Sequence, residues 1–237
     1  MGEVIFKDDA LEFQGFDLSD DDFASDEEFD SQLDFDTRYI KPRRFKNVQS
    51  RAVKYHNAKK MAQDITLGKN ERVFCVISGA FIAGDFIEAF CVEKNLHVKK
   101  MVVQTLSLSQ NNVDSLHNLL VGDYVDSLSL IVSDYFYSHE RRGLLPYIYQ
   151  ELDIDDKFQL SAAGTHCKIA IWETHCGQKY VLHGSANLRS SANIEQFVFE
   201  ESEELYNFIF DFSMKIEEKY KTINKAIRVQ KLWATIK

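Results

Sequence analysis

The chain has 237 residues, of which 45% are hydrophobic and 13% aromatic, so it is long and apolar enough for one domain with a substantial core. Its formal net charge of −9 at pH 7 is unevenly distributed: residues 1–37 contain fourteen acids and one base, whereas residues 38–237 contain twenty-three acids and twenty-seven bases. No apolar run approaches the roughly 18–20 residues that a membrane-spanning helix needs. Near the N-terminus, acidic residues occupy the positions where an export signal has basic residues. We therefore expect a cytoplasmic protein without membrane association, whose four cysteines are reduced thiols.

Residues 1–37 form an acidic tail that lacks helical or strand periodicity, so we predict that it is disordered. Its phenylalanines stand singly among the carboxylates. Two interpretations remain open: a solubilising tail, or a segment that docks on a basic surface by charge and aromatic contacts. In the second case the surface belongs either to this chain or to another protein.

The charge reverses after the tail, since residues 38–60 contain nine bases and no acid. Pro42 breaks the chain, and Asn47 is placed to cap a helix that ends near Gly68. A basic stripe suits a phosphate backbone, because each neutralised phosphate releases a counterion; a solvated helix face is the alternative. The bases that we predict to bind substrate are Arg43, Arg44, Lys54 and, further along the chain, Arg189.

Strand and helix patterns alternate through the middle of the chain. The strands predicted first cover residues 72–81, 97–108 and 127–137, and the helices cover 85–95, 113–124 and 140–152. A long strand over 157–173 and a return strand over 178–187 form a hairpin across 174–178, followed by a strand near 196–200. Helical spacing of apolar residues from Leu205 onward predicts one or two long helices at the end.

This order of elements predicts an α/β sandwich with a central mixed β-sheet flanked by helices. We divide the chain into an acidic tail (1–37), a basic linker and helix (38–68), the main domain (69–220) and a C-terminal helical extension (221–237).

Polar side chains of several chemical types converge at one end of the predicted hairpin. His166 and Lys168 are two residues apart and share a face of the long strand, whereas Cys167 and Ile169 point the other way. The return strand brings two further polar residues to the same end of the sheet, and a glutamate follows close enough to fix an imidazole's orientation. These three residues are Ser185, Asn187 and Glu195.

Such a set fits phosphodiester chemistry. A histidine can attack phosphorus and form a covalent intermediate, which divides one difficult displacement into two easier steps. A lysine and an asparagine can stabilise charge on the phosphoryl oxygens, and a second histidine must protonate the leaving oxygen. The chemistry requires no metal or other cofactor.

The pattern resembles the signature of the phospholipase D superfamily, which is H-x-K, four residues, Asp, then G-S-x-N and a downstream Glu. The resemblance implies that His166 is the nucleophile or its acid counterpart, that Lys168 and Asn187 bind phosphate, and that Ser185 assists them. It also implies that Glu195 supports the histidine. The matching stretches are His166-Cys167-Lys168, Gly184-Ser185-Ala186-Asn187 and Asn193-Ile194-Glu195.

Two further points follow from this resemblance. Where the family has a largely structural Asp, this chain has Glu173, whose side chain is one methylene longer. The run "GSANLRSSANIEQ" resembles the corresponding stretch of phage and bacterial members. The family needs two H-x-K motifs facing each other, but the other candidate, His97 with Lys99, has Gln104 at the acid position and no G-S-x-N. We interpret this second candidate as ordinary polar side chains on the surface, and we expect a homodimer that places His166 of each subunit across a two-fold axis.

The function predicted from the sequence is a metal-independent nuclease or phosphodiesterase that acts on nucleic acid. Three alternatives stay open. The first is a catalytically silent protein of the same fold that binds nucleic acid or acts as a regulator. The second is a phospholipase that acts on lipid phosphodiesters, and the third is a zinc protein. The zinc ligands would come from His166, Cys167, His175, Cys176 and His183, although their spacing matches no zinc framework. His175 and Cys176 are better explained as turn residues of the hairpin, and His183 as a cross-strand neighbour beside the site.

Overall fold

The computed structural model describes residues 49–54, 58–78, 81–189 and 193–221, and of residues 49–54 it describes only the backbone. The acidic tail, most of the basic run and residues 222–237 lie outside the described residues. The predictions made for those segments therefore remain predictions.

Eight strands form one mixed sheet with the order β1-β2-β8-β7-β6-β3-β4-β5. The pairs β1/β2, β3/β4 and β4/β5 are parallel, whereas the four pairs that link β2 through β8, β7 and β6 to β3 are antiparallel. The predicted α/β class with a mixed sheet is confirmed. The strands are β1 Gln49–Lys54, β2 Glu71–Ile77, β3 Val98–Thr105, β4 Leu128–Ser133, β5 Phe158–Ala163, β6 Ile169–Thr174, β7 Lys179–Gly184 and β8 Glu195–Glu201.

Six α-helices and one short 3₁₀ turn, Glu140–Arg142, are described. Among the described segments, no helix is long and apolar enough to cross a membrane. Pro146 lies in the first turn of its helix, where a missing backbone N–H costs nothing. The helices are α1 Ala58–Asp64, α2 Ala83–Glu93, α3 Gln110–Val121, α4 Asp134–His139, α5 Leu144–Leu152 and α6 Glu203–Tyr220.

Helices flank the sheet on both faces, because its central strands bury both rows of their alternating side chains. On one face, buried residues of α1, α2, α3 and α5 pack with Trp172 and Phe199 in the larger core. On the other face, α6 packs across β5, β6 and β7 and buries Ile209 against a second cluster that contains Ile171 and Val181. The α6 helix therefore lies beside the β6–β7 hairpin, next to the predicted site.

Three predicted elements are wrong in part. Residues 49–54 form a strand parallel to β2, not part of a helix capped at Asn47, and only 58–64 are helical. The strand predicted over 127–137 ends at Ser133, whose hydroxyl accepts a hydrogen bond from the Phe136 backbone N–H at 3.0 Å. Because this N-cap begins α4, the apolar residues that follow it are helical and do not continue the strand.

The long strand predicted over 157–173 is two strands, because the chain crosses the sheet in the middle of it. β5 pairs with β4 at the edge, whereas β6 pairs with β3 and β7 in the interior. The crossing is made by residues 164–168, which are irregular. The hairpin across 174–178 and the strand near 196–200 are confirmed.

Candidate active site

An open cleft with a volume of about 610 Å³ lies at the end of the sheet where β6 begins and β7 ends. This volume is within the range of about 300–1,000 Å³ that is usual for small-molecule sites. The crossing segment, three strands and α6 all contribute to its walls. The polar lining side chains are Arg72, His166, Cys167, Lys168, His183 and Gln196, and the apolar ones include Ile169, Leu205, Phe208 and Ile209.

His166 and Lys168 are placed by the crossing segment and not by a strand. The hydroxyl of the buried Thr165 accepts a hydrogen bond from the Cys167 backbone N–H at 3.1 Å, which fixes the turn of the chain. The Lys168 ammonium donates to the His166 carbonyl oxygen at 3.2 Å, and the His166 side chain is exposed. The strand alternation predicted here does not apply, because Cys167 and Ile169 line the cleft as well.

The G-S-A-N turn begins directly beside Lys168. The Gly184 backbone N–H donates to the Lys168 carbonyl oxygen at 3.2 Å. The Ser185 hydroxyl donates to the Glu195 carboxylate and accepts from the Gln196 backbone N–H at 3.1 Å. The structure therefore joins Glu195 to Ser185, and support of His166 by Glu195 stays a prediction.

Two helices hold the part of the turn that carries Asn187. The carbonyl oxygen of Leu188 accepts from the Gly84 backbone N–H at 3.0 Å and from the Asn112 amide at 3.2 Å. The Asn187 side-chain oxygen is buried and has no hydrogen-bond partner among the described residues. A buried amide oxygen without a partner is costly. The N–H groups of the same amide are the donors that a phosphoryl oxygen would accept from.

Asn187 lines a small cavity with Arg189 and Glu195, next to the larger cleft. A second small cavity is lined by Lys168, which also lines the cleft, and by Ala186, which also lines the cavity of Asn187. The signature residues therefore meet at one end of the sheet in adjoining spaces. Of the predicted substrate-binding bases, the exposed Arg189 lies at this end, Arg43 and Arg44 lie outside the described residues, and the Lys54 side chain is not described.

A hydrogen-bonded triplet of Arg72, Glu200 and His183, which was not predicted, lies in the wall of the cleft. Arg72 on β2 donates to both carboxylate oxygens of Glu200 on β8, at 3.0 Å each. The His183 ring on β7 places Nε2 at 3.3 Å from the same carboxylate, which is only 1% exposed. Burial alone would raise the pKa of Glu200, but hydrogen bonds from His183 and Arg72 lower it below its ordinary value. No local pattern indicated the triplet, because its three members lie on three different strands.

The opposite end of the hairpin carries the other polar residues considered above. The His175 backbone N–H donates to the His97 carbonyl oxygen at 2.9 Å, and the His175 ring lies 2.6 Å from the Asp126 carboxylate. Lys99 lies 4.0 Å from Glu173, the residue at the family's Asp position. His97 and Lys99 are exposed to solvent, which agrees with the interpretation of this second candidate as ordinary polar residues on the surface.

The five residues of the hypothetical zinc site do not come together. His166 and Cys167 precede β6, whereas His175 and Cys176 follow it, so the length of the strand separates the two pairs. Within the described segments, no group of three or more His, Cys, Asp or Glu side chains is arranged to hold a metal ion. His183 faces Glu200 instead.

The cysteines provide no second nucleophile in the core. All four are free, and Cys75 and Cys91 are buried. Burial raises the pKa of each of these two thiols to about 12, so they stay protonated at neutral pH.

Comparisons with known proteins were made at the level of sequence and of structure. A scan of protein-family models and a search of curated protein sequences find no match. Among solved structures, NucT from Helicobacter pylori is 13% identical with a TM-score of 0.45, over 63% of this chain and 98% of that chain. Nuc from Salmonella typhimurium, described as a phospholipase D family member, is 12% identical with a TM-score of 0.43, over 63% and 97%. Yeast tyrosyl-DNA phosphodiesterase is 12% identical with a TM-score of 0.36, over 54% and 31%. These values are too low to carry an argument, and the proposal below rests on the residues of the site.

Proposed function

We propose that this chain is a metal-independent phosphodiesterase of the phospholipase D type that cleaves nucleic acid through a phosphohistidine at His166. One observation carries the proposal: the residue that ends the H-x-K motif accepts a hydrogen bond from the residue that begins the G-S-A-N turn. Motifs that are sixteen residues apart in the sequence are therefore adjacent in space, which supports one shared site. That site is open to solvent, as a polymeric substrate requires.

Each side chain of the site has a role that its chemistry and position support. The exposed imidazole of His166 supplies a lone pair to phosphorus, and the leaving oxygen departs from the opposite side. The Lys168 ammonium and the Asn187 amide stabilise negative charge on the phosphoryl oxygens. Ser185 and Glu195 hydrogen-bond to each other and hold the turn that carries Asn187.

The single H-x-K motif supports a homodimer in which a second copy of the chain faces the cleft. The α6 residues Leu205 and Phe208 line the cleft and are only partly buried, and Phe74, on the same face of the sheet, is 39% exposed. A second copy would cover this apolar margin. The two-fold arrangement would bring two imidazoles to one phosphorus.

Nucleic acid is the proposed substrate because of the basic run at 38–60 and of Arg189 beside Asn187. The alternatives of a lipid phosphodiester and of a silent nucleic-acid-binding protein are outcomes of the same test.

The test is hydrolysis of DNA, RNA and phosphatidylcholine vesicles by the chelator-treated protein, its His166→Ala variant and its His175→Ala variant. We expect chelator-resistant cleavage of nucleic acid that His166→Ala abolishes and His175→Ala preserves, and a dimeric mass in native mass spectrometry. Cleavage that the chelator stops would overturn the metal-independent mechanism. Cleavage of lipid alone would identify a phospholipase, and binding of DNA without cleavage would identify a silent binding protein.

A further inference from the structure

The end of the sheet that holds the site also carries an exposed aromatic side chain. β4 ends at Ser133, and Tyr135 follows in the first turn of α4. Tyr135 is 62% exposed, the highest value of any Phe, Tyr or Trp in the described part of the chain. The next two residues, Phe136 and Tyr137, are buried in the larger core. The short helix is therefore anchored by its buried side, and Tyr135 is held on the outside.

The Tyr135 ring lies against the ring of His139, one helical turn later. Their ring centroids are 3.8 Å apart, and the planes are inclined by 32°. The Tyr135 carbonyl oxygen lies 2.9 Å from Nδ1 of His139, and because a carbonyl oxygen only accepts, Nδ1 is the donor. This bond fixes the His139 ring beneath Tyr135. The rest of the Tyr135 ring stays open to solvent, so a ligand would meet an aromatic surface that is already ordered.

The strand register places this aromatic pair near the crossing segment that carries His166. Ser133 at the end of β4 is paired with Ala163 at the end of the parallel strand β5. The chain continues from Ser133 to Tyr135 and from Ala163 to His166 at the same end of the sheet. Paired strands lie about 4.8 Å apart and successive Cα atoms about 3.8 Å apart, so the Cα atoms of Tyr135 and His166 are separated by no more than about 24 Å. At about 3.4 Å per stacked nucleotide, about seven nucleotides or fewer cover this distance.

We propose that Tyr135, supported by His139, is a stacking platform for one base of a single-stranded nucleic acid whose backbone passes His166. This inference rests on the proposed function, and it names the substrate class as single-stranded. The bases of a duplex are stacked on one another, whereas the bases of a single strand are free to lie on an aromatic face. Every base has such a face, so the contact would tolerate any sequence.

Stacking, and not charge, is the expected source of this affinity. The segment that contains α4 and the following 3₁₀ turn has two acids, Asp134 and Glu140, and two bases, Arg141 and Arg142, so their formal charges cancel. Contacts between bases of a protein and phosphates weaken as salt is added, because they depend on counterion release. The contribution of Tyr135 should therefore be nearly independent of salt.

The test measures the binding of single-stranded and duplex DNA of about ten nucleotides by fluorescence anisotropy, at low and at high salt. All variants are made in full-length His166→Ala, so that nothing is cleaved during the measurement. They are Tyr135→Ala, Tyr135→Phe and His139→Ala. Val121→Ala is the matched control, because it shortens a side chain that is 52% exposed at the end of α3 that leads into β4, away from the site.

We expect Tyr135→Ala to raise Kd for the single strand by about 5–150-fold and for the duplex by less than about twofold. Tyr135→Phe should keep the affinity of its parent because it keeps the ring, and His139→Ala should weaken binding less than Tyr135→Ala does. Val121→Ala should change neither Kd by more than about twofold. An unchanged Kd for the single strand, or equal changes for both DNAs, would overturn the inference.

Two further measurements separate binding from a structural role of Tyr135. A contact between side chains four residues apart also stabilises a helix, so thermal unfolding must show that Tyr135→Ala remains folded. Native mass spectrometry compares Tyr135→Ala with its parent. If the variant has a lower oligomeric mass, Tyr135 belongs to an interface between copies of the chain, and the inference is overturned.

Cleavage assays distinguish failure of this inference from failure of the proposed function. In chains that keep His166, Tyr135→Ala should raise KM for the single strand and leave kcat within about threefold, because the platform binds substrate and transition state equally. If wild type cleaves DNA and Tyr135→Ala has the same KM, the inference fails and the proposed function stands. If wild type cleaves no nucleic acid while Tyr135→Ala still weakens binding of the single strand, the platform stands and the nuclease fails. If wild type neither binds nor cleaves nucleic acid, both fail.

Discussion

The two ends of the β6–β7 hairpin carry similar side chains in different surroundings. At the open end, His166, Lys168 and His183 line a cleft. At the turn end, His175 contacts Asp126 on the exposed surface, with side chains that are 56% and 55% exposed. The same residue types are therefore present at both ends, and at the open end three of them line one space.

The carboxylates that contact His183 and His175 show the same difference. Glu200 is buried and held by a guanidinium as well as by an imidazole, so its position is fixed by the strands that carry it. Asp126 is solvated, and a solvated pair exchanges its partner with water at little cost. Of these two imidazoles, the His183 ring therefore has the acidic partner that is held in place.

The largest effect should come from the lysines. Lys168→Met removes the ammonium beside His166, and we expect kcat/KM of the chelator-treated enzyme for DNA to fall by about 10²–10³-fold. Lys99→Met removes an exposed lysine whose nearest acid is Glu173 at the turn end, and we expect no more than about a twofold change. Equal losses in the two variants would contradict the assignment of the open end as the site.

The glycines at the two ends should differ in stability. A Cβ at Gly184 would lie 2.2 Å from the Gln196 carbonyl oxygen and 2.6 Å from the Phe197 Cα, because β7 and β8 approach closely there. We expect Gly184→Ala to lower the free energy of unfolding by about 2–3 kcal/mol in urea denaturation. At Gly177, where φ is +86° and nothing lies within 4 Å of an added Cβ, alanine should cost only about 1 kcal/mol. If Gly177→Ala lowered the free energy of unfolding more than Gly184→Ala does, the close approach of β7 and β8 at Gly184 would be contradicted.

The hairpin and its polar end could be predicted because they depend on neighbours in the sequence. The alternation of β6 and β7 and the turn across 174–178 are local patterns, and the motif residues flank them. The Arg72–Glu200–His183 triplet could not be predicted, since it depends on β2 lying beside β8. That adjacency joins strands more than a hundred residues apart, and no local periodicity reports it.

The wrongly predicted elements have a local cause as well. Ser133 followed by Asp134 is a helix start, but the apolar run before it hid the capping signal. The strand over 157–173 combined two apolar runs that are each typical of strands, and periodicity does not show that the chain crosses between them. The consequence for the site was limited, because Lys168 still lies beside the first residue of the turn.

A smaller effect is the acid sensitivity that Glu200 gives to the fold. The pKa of Glu200 is lowered in the folded state, so its stabilising contribution is complete above the ordinary pKa of a glutamate and is lost as the pH falls through the lowered value. We expect the free energy of unfolding of the wild type to fall more steeply between about pH 5 and pH 3 than that of Glu200→Gln. Asp126→Asn is the matched control for replacing a carboxylate by an amide at the turn end. Parallel curves for wild type and Glu200→Gln would show that the triplet does not stabilise the carboxylate.

The smallest effect should come from the exposed pair itself. Although His175 and Asp126 lie only 2.6 Å apart, both side chains are more than half exposed, so their attraction is screened and ordering the two side chains costs entropy. We expect Asp126→Asn to change the free energy of unfolding at pH 6 by less than about 1 kcal/mol, with the change smaller still at high salt. Urea denaturation at low and high ionic strength measures both quantities. A loss above about 2 kcal/mol that salt does not reduce would mean that the turn end is as tightly held as the Glu200 triplet. In that case a fixed acidic partner would no longer distinguish the open end from the turn end.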